Sequence, residues 1–95
     1  MFERSKALIE LKKIQSELAK EIIEVESGNG AVIVRMNGEQ KLQKITLDPT
    51  IIREVEVAKL EKWIESGITQ AINQSQQVAA EKMKSISASL GIPGL

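Results

Sequence analysis

Between Glu56 and Ser89 the chain has no proline and repeats its apolar residues at intervals of three and four, through Val57, Leu60, Ile64, Ile68, Ala71, Ile72, Val78, Ala79, Met83 and Ile86, with Leu90 just beyond. That spacing puts them on one stripe of an α-helix. A helix over 56–89 would be about 50 Å long at a rise of about 1.5 Å per residue. A compact domain of this size has a radius of gyration of only about 13 Å, so the helix must overhang the rest of its fold. Its distal apolar residues then need cover from another chain, and the length by itself predicts a homodimer. The stripe weakens from Gln74 to Gln77. Ser66-Gly67, inside the helix, costs about 1 kcal/mol of propensity and marks a close crossing or a bend.

What surrounds this helix is small. The 95 residues suit one domain, 1–90, followed by Gly91-Ile92-Pro93-Gly94-Leu95 as a flexible tail. Cysteine and histidine are both absent, which excludes disulfides, thiolate or imidazole metal sites and every His-based triad. The carboxylates, lysines and hydroxyls that remain are not grouped around a recognisable base. Neither an enzyme nor a cofactor, a metal site or a small-molecule substrate is expected. The N-terminus MFERSKALIELKK mixes charge into its apolar positions, and no apolar run approaches the roughly 20 residues of a membrane span. The expectation is a cytoplasmic protein with no membrane partner. Lys plus Arg and Asp plus Glu both number 13, so no basic excess advertises nucleic-acid binding.

In a first helix, expected from residue 3 to about 22, Ala7, Leu11, Ile14, Leu18 and Ile22 form the apolar stripe, with Leu8 beside it. A second row, Glu3, Lys6, Glu10, Lys13, Glu17, Lys20 and Glu24, alternates in sign at the same spacing. One reading takes Lys6, Lys13 and Lys20, with Lys12 and Arg4 nearby, as phosphate contacts. The other takes the row as solvated i,i+3 and i,i+4 ion pairs worth about 0.2–0.5 kcal/mol each. Lys12 lies off the row and is not matched in that way.

From Ile22 the period changes from 3.6 to 2, and three strands follow. Ile23 and Val25 alternate with Glu24 and Glu26; Ala31 to Met36 is rich in β-branched residues; Lys41 to Leu47 supplies the third strand. Gly28-Asn29 as a two-residue turn would set Val25 opposite Val32 and Ile23 opposite Val34. For the second turn, a strict two-residue Asn37-Gly38 loop would pair Met36 with Glu39, whereas a four-residue loop from Asn37 to Gln40 pairs Met36 with Lys41, Val34 with Gln43 and Val32 with Ile45, and is preferred because it pairs the apolar residues more directly. Either way Ile23, Val25, Val32, Val34, Met36, Ile45 and Leu47 share the core face. The opposite face carries Glu24, Glu26, Arg35, Lys44 and Thr46, along with Ile33 and Leu42, which read first as the ordinary exposed aliphatics of a small surface and second, together with Ala31, as a subunit contact. Gly28-Asn29-Gly30 sits between antiparallel strands with no GK[ST] after it, and reads as a turn rather than a phosphate loop. Asp48-Pro49 opens a short helical turn, Thr50 to Arg53, with Asp48 as N-cap and proline where its missing N–H costs nothing. Trp63 lies on the apolar stripe of the last helix and is expected in the core or a subunit interface rather than stacked on a base.

The fold is therefore α+β: a helix, a three-stranded antiparallel sheet, a short helical turn and a long C-terminal helix. In that order and spacing, the chain resembles the YbaB/EbfC family of nucleoid-associated DNA-binding proteins. The resemblance rests on Glu26-Ser27-Gly28-Asn29-Gly30 before alternating valines, Met36-Asn37-Gly38, Ile45-Thr46-Leu47-Asp48-Pro49 with Ile51-Ile52, Glu81-Lys82-Met83, and Gly91-Ile92-Pro93-Gly94. It implies a tweezer-like homodimer whose helical arms project from a joined sheet body. It also implies binding of duplex DNA, with little sequence preference and a role in nucleoid organisation or gene expression. The DNA contacts it implies are Lys6, Lys12, Lys13 and Lys20 on the first helix and Lys82 and Lys84 on the last. The chain departs from the family's pattern where Asn73 and Gln74 replace a common arginine pair, in lacking a Gly- and Met-rich N-terminal lead, and in its overall neutrality. The competing reading is a scaffold dimer whose arms grip a polypeptide, which the neutral charge and the glutamates beside the lysines would suit.

Overall fold

A computed structural model describes the backbone of residues 2–90 and the side-chain surroundings of residues 6–85. The tail expected over 91–95, and the side chains of Glu3, Arg4, Ile86 and Leu90, lie outside the described residues. Helix α1 (Phe2–Lys20) leads into strands β1 (Ile22–Ser27), β2 (Val32–Asn37) and β3 (Leu42–Leu47), then into the short helix α2 (Pro49–Ile52) and the long helix α3 (Val57–Leu90). The strands form one antiparallel sheet in the order β1-β2-β3. Asp48 caps α2 as its sequence position predicts, its Oδ1 accepting from the N–H groups of Thr50 at 2.8 Å and Ile51 at 3.1 Å.

Both strand registers differ from the expected ones by two residues, except at Met36 where a bulge makes the shift one, and Ile23, Val25, Val32, Val34, Ile45 and Leu47 keep their assigned face because the strand period is two. Val25 stands opposite Val34 and Ile23 opposite Met36. The first turn is longer than two residues: Gly28, Asn29 and Gly30 all take positive φ, and the Ala31 N–H closes onto the Gly28 carbonyl at 3.1 Å. In the second hairpin Val32 pairs with Leu47 and Val34 with Ile45, and a bulge beside Met36 brings it opposite Leu42. The Asn37 side chain causes the shift. Its Oδ1 accepts from the Glu39 N–H at 2.8 Å and the Lys41 N–H at 3.0 Å, drawing Lys41 into the turn. The result joins aliphatic to aliphatic across the strands.

The core lies between one face of the sheet and α3. Ile23, Val25, Val32, Val34 and Met36 are buried, with Ile45, Leu47, Leu60, Trp63, Ile64, Ile68 and Ile72 packed against them. Ala31, assigned above to the outer face, is fully buried in this cluster instead, because the four-residue turn swings it inward. Small residues one turn apart, Gly67, Ala71 and Ser75, are all buried and let α3 settle close to β1 and β2. A Cβ at Gly67 would lie 2.8 Å from Val34 Cγ2, so the glycine marks a close crossing.

Helix α1 stops at Lys20, short of the expected residue 22, because the β2–β3 turn caps it. The Gly38 N–H donates to the Leu18 carbonyl at 2.8 Å and Asn37 Nδ2 to the Ala19 carbonyl at 3.3 Å. Glu24 consequently sits on β1, not on the helical charge row, and pairs with Arg35 across the strands at 3.1 Å. The molecule is elongated, 61 × 22 × 15 Å with a radius of gyration of 17.7 Å, well beyond the about 13 Å of a compact domain this size. The overhang of α3 is met in part by its own chain: Leu11, Ile14 and Leu18 of α1 pack on Val78 and Ala79. The length argument for a second chain is weakened accordingly, although Met83 of α3 and Leu8 and Ile9 of α1 remain exposed.

Candidate nucleic-acid interface

The two long helices form one arm, and the joint that fixes it is the Asn37 turn. Besides capping α1, that turn is tied to α3 by Ser75, whose hydroxyl donates to the Asn37 carbonyl at 3.0 Å and accepts the Gln40 N–H at 3.2 Å. Asn37 and Ser75 are both buried and satisfied. The joint thus sets where α1 lies against α3, and with it the placement of every lysine on α1.

Lys6, Lys12, Lys13 and Lys20 are all exposed on α1. Lys6, Lys13 and Lys20 repeat every seven residues, about 10 Å apart along one line of the helix. Lys12 stands on a separate line. Among the described residues the ion pairs are Arg35 with Glu24, and Lys82 with Glu17 and Glu21. None involves Lys12, Lys13 or Lys20. Sequence spacing alone would give Glu17 to the lysines one turn away on its own helix. The structure turns it to Lys82 of α3, with Nζ to Oε2 at 3.3 Å, and adds Glu21 at 3.9 Å. Lys82 is therefore a strut between the helices, while Lys84, two residues on, is exposed.

The arrangement offers point charges along an elongated rod, suited to phosphates on a polyanion rather than to a small ligand. On the sheet's outer face, Glu24, Ile33, Arg35, Lys44 and Thr46 line only a shallow hollow of about 150 Å³. Among the described residues no three acidic, histidine or cysteine side chains converge as a metal site, and no helix is long and apolar enough to cross a membrane. Trp63 is half-buried against the core; its ring lies over Gly28, and Lys59 Nζ sits 5.5 Å from its centroid. Asn73 and Gln74 are exposed.

The model of the YbaB/EbfC DNA-binding family matches residues 4–90. A nucleoid-associated protein of Chloroflexus aggregans is 35% identical over 86 residues, covering 90% of this chain and 84% of the relative. One from Methylococcus capsulatus is 37% identical over 81 residues, covering 85% of this chain and 75% of the relative. The crystal structure of an uncharacterised protein from Helicobacter pylori superimposes with a TM-score of 0.66 at 17% identity, covering 90% of this chain and 86% of that one. That likeness concerns the fold.

Proposed function

The chain belongs to the YbaB/EbfC DNA-binding family, and from that membership we propose that residues 1–90 act as one domain that binds duplex DNA as a homodimer, through phosphate contacts made largely without regard to sequence. The family match over nearly the whole chain carries this reading. The exposed lysines of α1 supply the charge. Lys12 and Lys13 are its main contacts, Lys6, Lys20 and Lys84 extend it, and Lys82 contributes less because Glu17 and Glu21 offset its charge. Exposed Leu8, Ile9 and Met83 give a second copy apolar surface to cover. The relatives' description as nucleoid-associated proteins supports a place in the nucleoid and a binding role rather than an enzymatic one.

A gel-shift titration of a mixed-sequence duplex at two salt concentrations, alongside a mass measurement in solution, tests the reading. It expects twice the chain mass and a complex that forms at low salt and dissociates as salt rises. A chain that ignores DNA at low salt yet captures a defined polypeptide would replace it with the scaffold reading.

A further inference from the structure

The chain holds two Asn-Gly sequences, Asn29-Gly30 and Asn37-Gly38, and the fold treats them in opposite ways. In such a pair the glycine nitrogen can attack the asparagine side-chain amide, because the glycine has no Cβ to stand in the way. At Asn37 both partners of that reaction are held. Its Oδ1 accepts from the Glu39 and Lys41 N–H groups, its Nδ2 donates to the Ala19 carbonyl, and the residue is buried. The Gly38 N–H is committed to the Leu18 carbonyl at 2.8 Å, and the Leu18 backbone packs against that glycine. Asn29, in contrast, is exposed, and neither its side chain nor the Gly30 N–H has a hydrogen-bond partner among the described residues. The third asparagine, Asn73, is followed by Gln74 inside α3.

We propose that Asn29 is a site of spontaneous deamidation, and that the fold selects it over Asn37. This modification is independent of DNA binding. The geometry of the first turn supplies its route. With φ of +57° at Asn29 and +89° at Gly30, and the Ala31 N–H on the Gly28 carbonyl, residues 28–31 form a type I′ turn. Rotating the Asn29–Gly30 peptide plane converts type I′ into type II′, which keeps φ of Asn29 and the closing hydrogen bond but moves its ψ to about −120°. At that ψ the Gly30 nitrogen eclipses the Asn29 Cβ and comes within ring-closing reach of Cγ. The rotation breaks no hydrogen bond, and nothing lies within 4 Å of where a Gly30 Cβ would stand, so space is open on that side. The rotated turn is strained for a residue that carries a Cβ, which makes it a minority state from which the reaction draws. In that state the Gly30 nitrogen gives its proton to hydroxide and bonds to Cγ, while the Cγ–Nδ2 bond breaks and Nδ2 leaves as ammonia. Water then opens the five-membered imide at either carbonyl, breaking one C–N bond and leaving aspartate or isoaspartate. The balance is amide plus water to carboxylic acid plus ammonia, and a neutral chain gains a negative charge.

Trypsin places the two sites on different peptides, 21–35 and 36–41, because cleavage follows Lys20, Arg35 and Lys41. The test ages the folded full chain in mildly alkaline buffer, beside a sample aged in urea, and follows the acid form of each peptide by mass spectrometry. An exposed turn opens far more readily than a buried joint, so the folded chain should convert Asn29 about ten-fold faster than Asn37 or more. In urea the two should convert at similar rates. Gly30→Ala, with its fold verified by circular dichroism, should slow conversion of Asn29 several-fold and leave Asn37 unchanged, since a methyl then stands beside the attacking nitrogen. Asn29 that stays an amide in the folded chain while the urea sample converts, or equal rates for the two peptides in the folded chain, overturns the inference. A ratio in urea as large as that in the folded chain also overturns it, by giving the selection to the sequence and not the fold. So does a Gly30→Ala chain that converts as fast as wild type.

Discussion

Gly28 is held by two constraints at once. Its φ of +63° lies in the left-handed region, and a Cβ there would come within 2.3–2.8 Å of three Trp63 ring atoms. The conformation costs an L-residue about 1–2 kcal/mol, and forcing a methyl against a packed ring adds about 1–3 kcal/mol. Gly28→Ala should therefore lower stability by about 3 kcal/mol, read from the urea midpoint and slope. Gly30 separates the two effects, since its φ is +89° but nothing lies within 4 Å of the position its Cβ would take. Gly30→Ala should cost only about 1–2 kcal/mol. Ser75 is a different case, small and completely buried because its hydroxyl bonds two backbone groups of the Asn37 turn. Ser75→Ala removes two hydrogen bonds from a turn whose Asn37 carbonyl and Gln40 N–H keep only their contact with each other at 3.2 Å, and should cost about 1–2 kcal/mol in the same measurement.

At the level of elements, the link between α1 and α3 divides into an apolar contact and an ion-pair strut. The strut is partly exposed and so contributes at most about 1 kcal/mol to stability. Its larger consequence is electrostatic: Glu17 and Glu21 offset Lys82, and their carboxylates stand beside the arm's basic surface. Glu17→Gln should tighten duplex binding several-fold at low salt while changing stability by less than about 1 kcal/mol. The elements themselves were readable from local signals. Apolar spacing placed both long helices, period-two alternation placed the strands and their faces, and Asp48-Pro49 placed the start of α2. Registers and partners were not readable, because they are set across the chain. Asn37 shifts the second hairpin through its own side chain, and the fate of Glu17 is decided by α3, 65 residues away. Likewise the overhang of α3 followed from its length, but the cover that α1 gives Val78 and Ala79 depends on the joint at Ser75, whose partner lies 38 residues away.

As a whole molecule the protein is a rod with a sheet at its body and two packed helices as its arm. An elongated, neutral chain does not gather an anion by its overall field; its binding depends on where lysines stand free of the carboxylates. Lys12 and Lys13 are the adjacent pair on the exposed side of α1, and the DNA-binding account depends chiefly on them. The most direct test is the slope of log affinity against log salt for a mixed-sequence duplex, compared between wild type and Lys12→Ala/Lys13→Ala. A steep fall is expected for wild type, and for the variant weaker binding to every sequence alike with a slope smaller by about 4, two contacts being lost from each protomer of the homodimer. A wild-type affinity indifferent to salt, or a variant with the wild-type slope, would contradict it.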